Sequence, residues 1–142
     1  MEEKLVTVLL IEDDMVDVMN VERAFRKNSI KNPITHARNG LEALCMLRGE
    51  EGYQIIEPRP QIILLDLNMP KMNGMEFLRE LRKDPDLKSI SVFVMTTSND
   101  DRDRFDAYNL NVAGYILKPV SFEKFVNAVS ILNSYWKLCE QY

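Results

Sequence analysis

At 142 residues, 46% of them apolar and 28% charged, the chain holds about one domain's worth of material, and a second folded module does not fit. A net charge of −4, from 18 basic against 22 acidic residues, argues against a nucleic-acid surface, which needs clustered Lys and Arg. Cys45 and Cys139 lie far apart without zinc-type spacing and fit free thiols in a reducing compartment. No apolar run approaches the roughly 20 residues of a membrane span, and Met1-Glu2-Glu3-Lys4 does not open like a secretory signal, so the expected location is cytoplasmic, with neither membrane nor nucleic acid as partner.

Residues 5–11 form a continuous apolar run. Without polar alternation, such a run is buried on both faces, as in a parallel sheet covered by helices. Val18, Val21 and Phe25 then mark one face of a helix, with Asp14 and Asp17 as acids suited to its first turn. Residues 33–37 read as an edge strand, where Pro33 is tolerated, and His36 within it as structural rather than catalytic. Leu41, Leu44, Cys45 and Leu47 share a face of the second helix, and residues 49–60 are a long connection. Residues 62–65 give the third strand. Gly74, taken as a glycine needing unusual dihedrals, precedes a third helix with Met75, Leu78 and Leu81 on its apolar face.

After a second long connection at 84–90, residues 92–95 form the fourth strand, and a helix over 99–109 takes Phe105 and Tyr108 as its anchors. Residues 112–117 give the fifth strand. Phe122, Phe125, Val126, Val129, Leu132 and Trp136 stripe a last helix, capped by Ser121; its aromatics suit core packing or a homodimer contact equally. The sum is an α/β, doubly wound (βα)5 parallel sheet forming a single domain over residues 1–142, with no output domain.

In open sheets of this class, ligands bind outside the carboxyl ends of the strands. Those ends carry Glu12-Asp13-Asp14, Asp66, Thr96-Thr97-Ser98 and Lys118-Pro119. Crowded carboxylates repel unless a cation neutralises them. Oxygen-only donors suit magnesium, which takes one or two carboxylates and keeps water and phosphate as other ligands; no His or Cys stands at these ends to favour zinc, copper or iron. With the ion bound, one carboxylate can attack a phosphoryl group while the metal, a lysine and a hydroxyl share the charge on its oxygens. Asp66 is the nucleophile this arrangement offers.

Four segments in register, residues 8–14, 64–74, 94–97 and 114–119, resemble the receiver domain of two-component response regulators over nearly the whole chain. The 49–60 loop, Thr96-Thr97-Ser98 and the aromatic last helix are most similar to stand-alone receivers associated with bacterial phytochrome-type histidine kinases. The resemblance implies a CheY-like, flavodoxin-like strand order of 2-1-3-4-5 and a phosphoryl group accepted by Asp66 from a sensor histidine kinase or phosphotransfer protein. It implies Mg2+, with Mn2+ as its substitute, held by Asp13, Asp66 and the Asn68 backbone carbonyl, and by Glu12 through water.

Thr96 and Lys118 would hold the phosphoryl group, Thr96 and Tyr115 would form the switch, and Asn68 and Ser98 would tune dephosphorylation. The Lys118–Pro119 peptide would be cis. Glu12 stands where many members have Asp, and Met15 where Pro is frequent. A downstream protein target is implied without being identified. Two other functions compete: an aspartyl-nucleophile phosphohydrolase, disfavoured because Leu67 and Asn68 stand where a second Asp is needed, and a receiver-like binding module that is never phosphorylated. The absence of glycine-rich phosphate loops disfavours a nucleotide-binding protein.

Overall fold

The strands of this protein are short runs, buried at the centre of the sheet and half-buried at its edges, and segments of nine to thirteen residues form the helices that cover them. The computed structural model describes residues 7–57, 59–69, 72–97 and 100–117, with positions 123, 124, 127, 130, 131 and 134. In chain order these are β1 (Val8–Ile11), α1 (Met15–Lys27), β2 (Ile34–Ala37), α2 (Gly40–Arg48), β3 (Ile62–Leu65), α3 (Gly74–Lys83), β4 (Ser91–Thr96), α4 (Asp101–Asn109) and β5 (Gly114–Leu117). All pairings are parallel and the strand order is β2-β1-β3-β4-β5, as the resemblance implies.

Both sheet faces are filled. Val8, Leu10, Ile62, Leu64, Phe93 and Met95 pack with Val18, Val21 and Phe25 of α1. The alternate positions of the same strands meet α2 and α3 through Leu44, Leu47, Phe77, Leu78 and Leu81. This two-sided burial is why β1 and β3 show no polar alternation. Side-chain caps set the helix starts: Asp14 accepts from Val16 N–H, Asn39 from Glu42 N–H, Asn73 from Glu76 N–H and Asp100 from Arg102 N–H, each satisfying a donor that the first helical turn leaves open.

Several sequence expectations give way. Leu41 is 50% exposed, and Ala43 takes its place on the buried face of α2. Phe105 and Tyr108 do not anchor α4: they are 66% and 49% exposed, and Ala107 is its buried residue. Ala107 joins the core cluster that includes α3 residues, while the two rings face solvent. β5 is half-buried rather than fully covered among the described residues, because it lies at the sheet edge. The described positions between 123 and 134 are helical and exposed, whereas Ser121 and the whole of the expected stripe, Phe122, Phe125, Val126, Val129, Leu132 and Trp136, lie outside the described residues.

Arg82, at the end of α3, fastens the far side of the sheet. Its Nε donates to the Leu110 carbonyl at 2.7 Å, Nη1 to those of Lys88 and Ile90 at 2.7 and 2.8 Å, and Nη2 to that of Asn111 at 3.1 Å. The guanidinium thus ties the turn before β4 to the turn before β5. Arg82→Met would strand these carbonyls, and the expected cost is about 3 kcal/mol, read as a lower urea midpoint at unchanged slope.

Candidate functional site

β1 and β3 lie side by side, with Ile11 opposite Leu65, so the residues that follow each strand emerge together at one rim. Glu12 N–H donates to the Ala37 carbonyl at 3.0 Å and Asp66 N–H to the Ile11 carbonyl at 3.1 Å, which carries the ladder one step past each strand and fixes both backbones. Glu12 and Asp66 are buried, at 3% and 8% exposure, while Asp13 is exposed. One carboxylate oxygen from each of the three lies within 4.8 Å of the others.

Three carboxylates this close, two of them in the protein interior, repel strongly unless a cation sits among them. The donor set is all hard oxygen with one solvent-facing member, which fits an ion that keeps part of its water shell, magnesium or manganese, rather than a soft metal. Residues of the triad thus form an acidic metal-binding pocket.

A polar chain leads from this pocket to β4. Asp66 Oδ1 accepts from Asn68 N–H at 3.1 Å, a local turn that aims the carboxylate. Asn68 Nδ2 donates to Thr96 Oγ1 at 3.3 Å and to Thr97 Oγ1 at 3.0 Å. Thr96 ends β4 fully buried, and Thr97 is exposed. Gly74 opens α3 directly beneath: its N–H donates to the Leu67 carbonyl at 3.0 Å. A Cβ there would fall on the Asp66 carbonyl oxygen and 2.5 Å from Leu67 Cα. This glycine is therefore needed for close approach and not for an unusual dihedral, since its φ is not positive.

Glu12, Asp13, Asp66, Asn68 and Thr96 are therefore brought together. Tyr115, on β5, pairs with Val94 and packs half-buried on the core with the Arg104 guanidinium 5.5 Å over its ring. Ser98, Lys118 and Pro119 lie outside the described residues. Sequence reasoning missed Thr97 as a partner of Asn68, Arg104 over Tyr115, and a hydrogen bond from His36 Nε2 to the Glu12 carbonyl at 2.7 Å. Contacts between different elements leave no spacing signal in a sequence.

Beside Asp13 runs a groove of about 660 Å³ bounded by α2 and residues 51–53. On its wall Glu42 accepts from Arg38 Nη2 at 3.1 Å and from the Tyr53 hydroxyl at 3.2 Å. Burial pushes the Glu42 carboxyl up, but the hydrogen bonds and charge of Arg38, with the bond from Tyr53, outweigh it and hold the group below its ordinary value. Asp84 is likewise held low, first by the backbone N–H of Asp86 and then by Arg48. A carboxylate whose folded-state pKa is depressed stabilises the fold above its unfolded pKa and loses that contribution as pH falls through the folded value. Unfolded values of 4.5 and 3.8 therefore put the loss in acid, below about pH 4.5. Melting temperature should fall less steeply over that range in Glu42→Gln than in the unaltered protein.

The profile of the response regulator receiver domain matches residues 8–130. The chain is 36% identical over 129 residues to the response regulator Rcp1 of Synechocystis sp., covering 91% of this chain and 87% of that protein. It is 37% identical to the probable methanogenesis regulatory protein FilR2 of Methanothrix harundinacea, over 91% and 82% of the two chains. Among solved structures, the phosphorylated cyanobacterial phytochrome response regulator RcpA superposes with a TM-score of 0.86 at 33% identity, covering 97% of this chain and 98% of that one. The Mn2+-bound form of Rcp1 gives 0.84 at 34% identity, over 96% and 97%.

The chain belongs to the response regulator receiver domain family. It is a receiver of two-component signalling, a phosphoacceptor rather than an enzyme, which sets aside the phosphohydrolase reading, and its partner class is the histidine kinase. Phytochrome-associated regulators are among its similar structures. No helix among the described residues is long and apolar enough to cross a membrane.

Proposed function

We propose that Asp66 is the phosphoacceptor. The observation that supports this most is the meeting of Glu12, Asp13 and Asp66 at the carboxyl end of the sheet, with buried Thr96 linked to Asp66 through Asn68. A carboxylate oxygen of Asp66 attacks phosphorus of a kinase phosphohistidine; the P–N bond breaks, the imidazole leaves with its electron pair and takes up a proton, and an acyl phosphate remains. Asp13, Asp66 and the Asn68 backbone carbonyl would hold Mg2+, or Mn2+ in its place, with Glu12 acting through water. When bound, such an ion would supply positive charge to offset that on the phosphoryl oxygens.

Lys118 pairs with the phosphoryl group, and Thr96 donates its hydroxyl to it. Asn68 holds the Thr96 oxygen in the unphosphorylated state, so Thr96 changes partners when it turns to the phosphate. Tyr115 follows by moving inward, away from Arg104. Asn68 and Ser98 govern access of hydrolytic water. Phosphorylation adds charge that Thr96 and Lys118 grip, biasing the surface formed by β4, α4 and β5. Full inversion of a 1:99 equilibrium requires about 5.5 kcal/mol of differential stabilisation, so a few charge-assisted contacts suffice to bias it.

The phosphodonor is a sensor histidine kinase, of the phytochrome-associated kind on the strength of the resemblance to Rcp1 and RcpA, or a phosphotransfer protein. The signal leaves through protein contact with a downstream target or a second copy of the chain, in the cytoplasm. The test is beryllofluoride, a phosphoryl mimic, titrated with Mg2+ and followed by amide NMR. Resonances of Thr96 and Tyr115 should move only when both are present; no response would favour a receiver-like module that is never phosphorylated.

A further inference from the structure

The end of β1 is gripped by β2 through two different kinds of bond. Glu12 N–H donates to the Ala37 carbonyl at 3.0 Å, an ordinary parallel rung. In a continuing ladder, the Glu12 carbonyl would next accept from the backbone two residues past Ala37. That residue is Asn39, where the chain turns to cap α2. The Glu12 carbonyl instead takes a hydrogen bond from a side chain, His36 Nε2 at 2.7 Å. A carbonyl oxygen can only accept, so Nε2 carries the hydrogen.

This carbonyl belongs to the peptide that joins Glu12 to Asp13, two consecutive members of the acidic pocket. The bond to this carbonyl restrains ψ of Glu12 and φ of Asp13, and a change in either torsion alone would turn one carboxylate away from the other and from Asp66. From this we infer that His36 is a positioning residue for the metal pocket: its Nε2–H locks the Glu12–Asp13 peptide so that the two carboxylates stay converged on a divalent cation. The inference rests on the reading of the triad as a cation site. It gives the half-buried ring on an edge strand a task that depends on one donor at one position. Groups behind metal ligands act in this way, and their loss costs about tenfold or more in metal affinity.

The test is calorimetric titration of the full chain with MgCl2 alone, alongside the melting temperature of each metal-free variant. His36→Met, of similar length without a donor, should bind Mg2+ about tenfold more weakly, and His36→Gln, whose amide nitrogen overlays Nε2, should keep unaltered affinity. His36→Asn, whose amide falls short, should behave like His36→Met and serves if that variant does not fold. A merely structural ring would lower the metal-free melting temperature and leave Mg2+ affinity unchanged, which would overturn the inference while leaving the cation site standing. Failure of the unaltered protein to bind Mg2+ would overturn both. The chain has a single His, so one imidazole signal reports directly: nitrogen NMR of the unaltered protein should show the Nε2–H tautomer, shifted by Mg2+, and an Nδ1–H tautomer would contradict the proposal.

Discussion

Asp66→Asn is expected to abolish phosphoryl uptake outright and at the same time to make the metal-free protein more stable. The amide oxygen can still accept from Asn68 N–H, so the local turn survives, but the nucleophilic oxygen is gone. Two of the three pocket carboxylates are buried, and their mutual repulsion is a strain kept for function. Removing one charge should raise metal-free stability by about 1 kcal/mol. It should also erase the gain in melting temperature that Mg2+ gives the unaltered protein, since a ligand stabilises only the state that binds it. Intact-mass measurement after incubation with acetyl phosphate and Mg2+, paired with melts with and without the metal, checks both halves. An added phosphoryl mass in the variant would mean that another side chain is the acceptor.

Gly74→Ala is the second large effect. One methyl group would meet the Asp66 carbonyl oxygen, Leu67 Cα and a Leu67 methyl carbon together. Two of these are backbone, fixed by the bonds that Asp66 and Gly74 themselves make, so the methyl cannot be accommodated by a rotamer change. The expected cost is about 3 kcal/mol, accompanied by weaker Mg2+ binding because relief requires Asp66 to move. Gly52→Ala is the contrast: its φ is +81° with nothing within 4 Å, so only the backbone penalty of about 1–2 kcal/mol applies, with metal affinity unchanged. Urea denaturation and Mg2+ titration of both variants separate the two cases.

Legibility in the sequence followed the range of the interactions. The strands β1, β3 and β4 were readable because burial on both faces leaves an unbroken apolar run, and the acidic rim was readable because strand ends are where such sheets bind ligands. Helix faces were readable where the stripe was strong, as with Val18, Val21 and Phe25. They failed where the buried residue was small: Ala107 anchors α4 while Phe105 and Tyr108 face solvent, and no hydrophobicity pattern ranks an alanine above two aromatic rings. Gly74 reads in the sequence as a glycine of unusual dihedrals, since a close approach between the two ends of the β3–α3 connection leaves no trace in local spacing. The bonds from Asn68 to Thr97 and from His36 to Glu12 span 29 and 24 residues, and only the parallel register of the sheet brings those positions together. The roles proposed for Asp66, Thr96 and Lys118 rest on four motifs in register, not on any single residue.

The central claim is that the side chain of residue 66 forms an acyl phosphate. Borohydride reduces an aspartyl phosphate to homoserine and leaves a free carboxylate untouched. The protein is therefore incubated with acetyl phosphate and Mg2+, quenched with borohydride, digested and mapped by tandem mass spectrometry. Homoserine should appear at position 66 alone and vanish when the metal is chelated; an unaltered Asp66, or homoserine at another aspartate, would contradict the assignment.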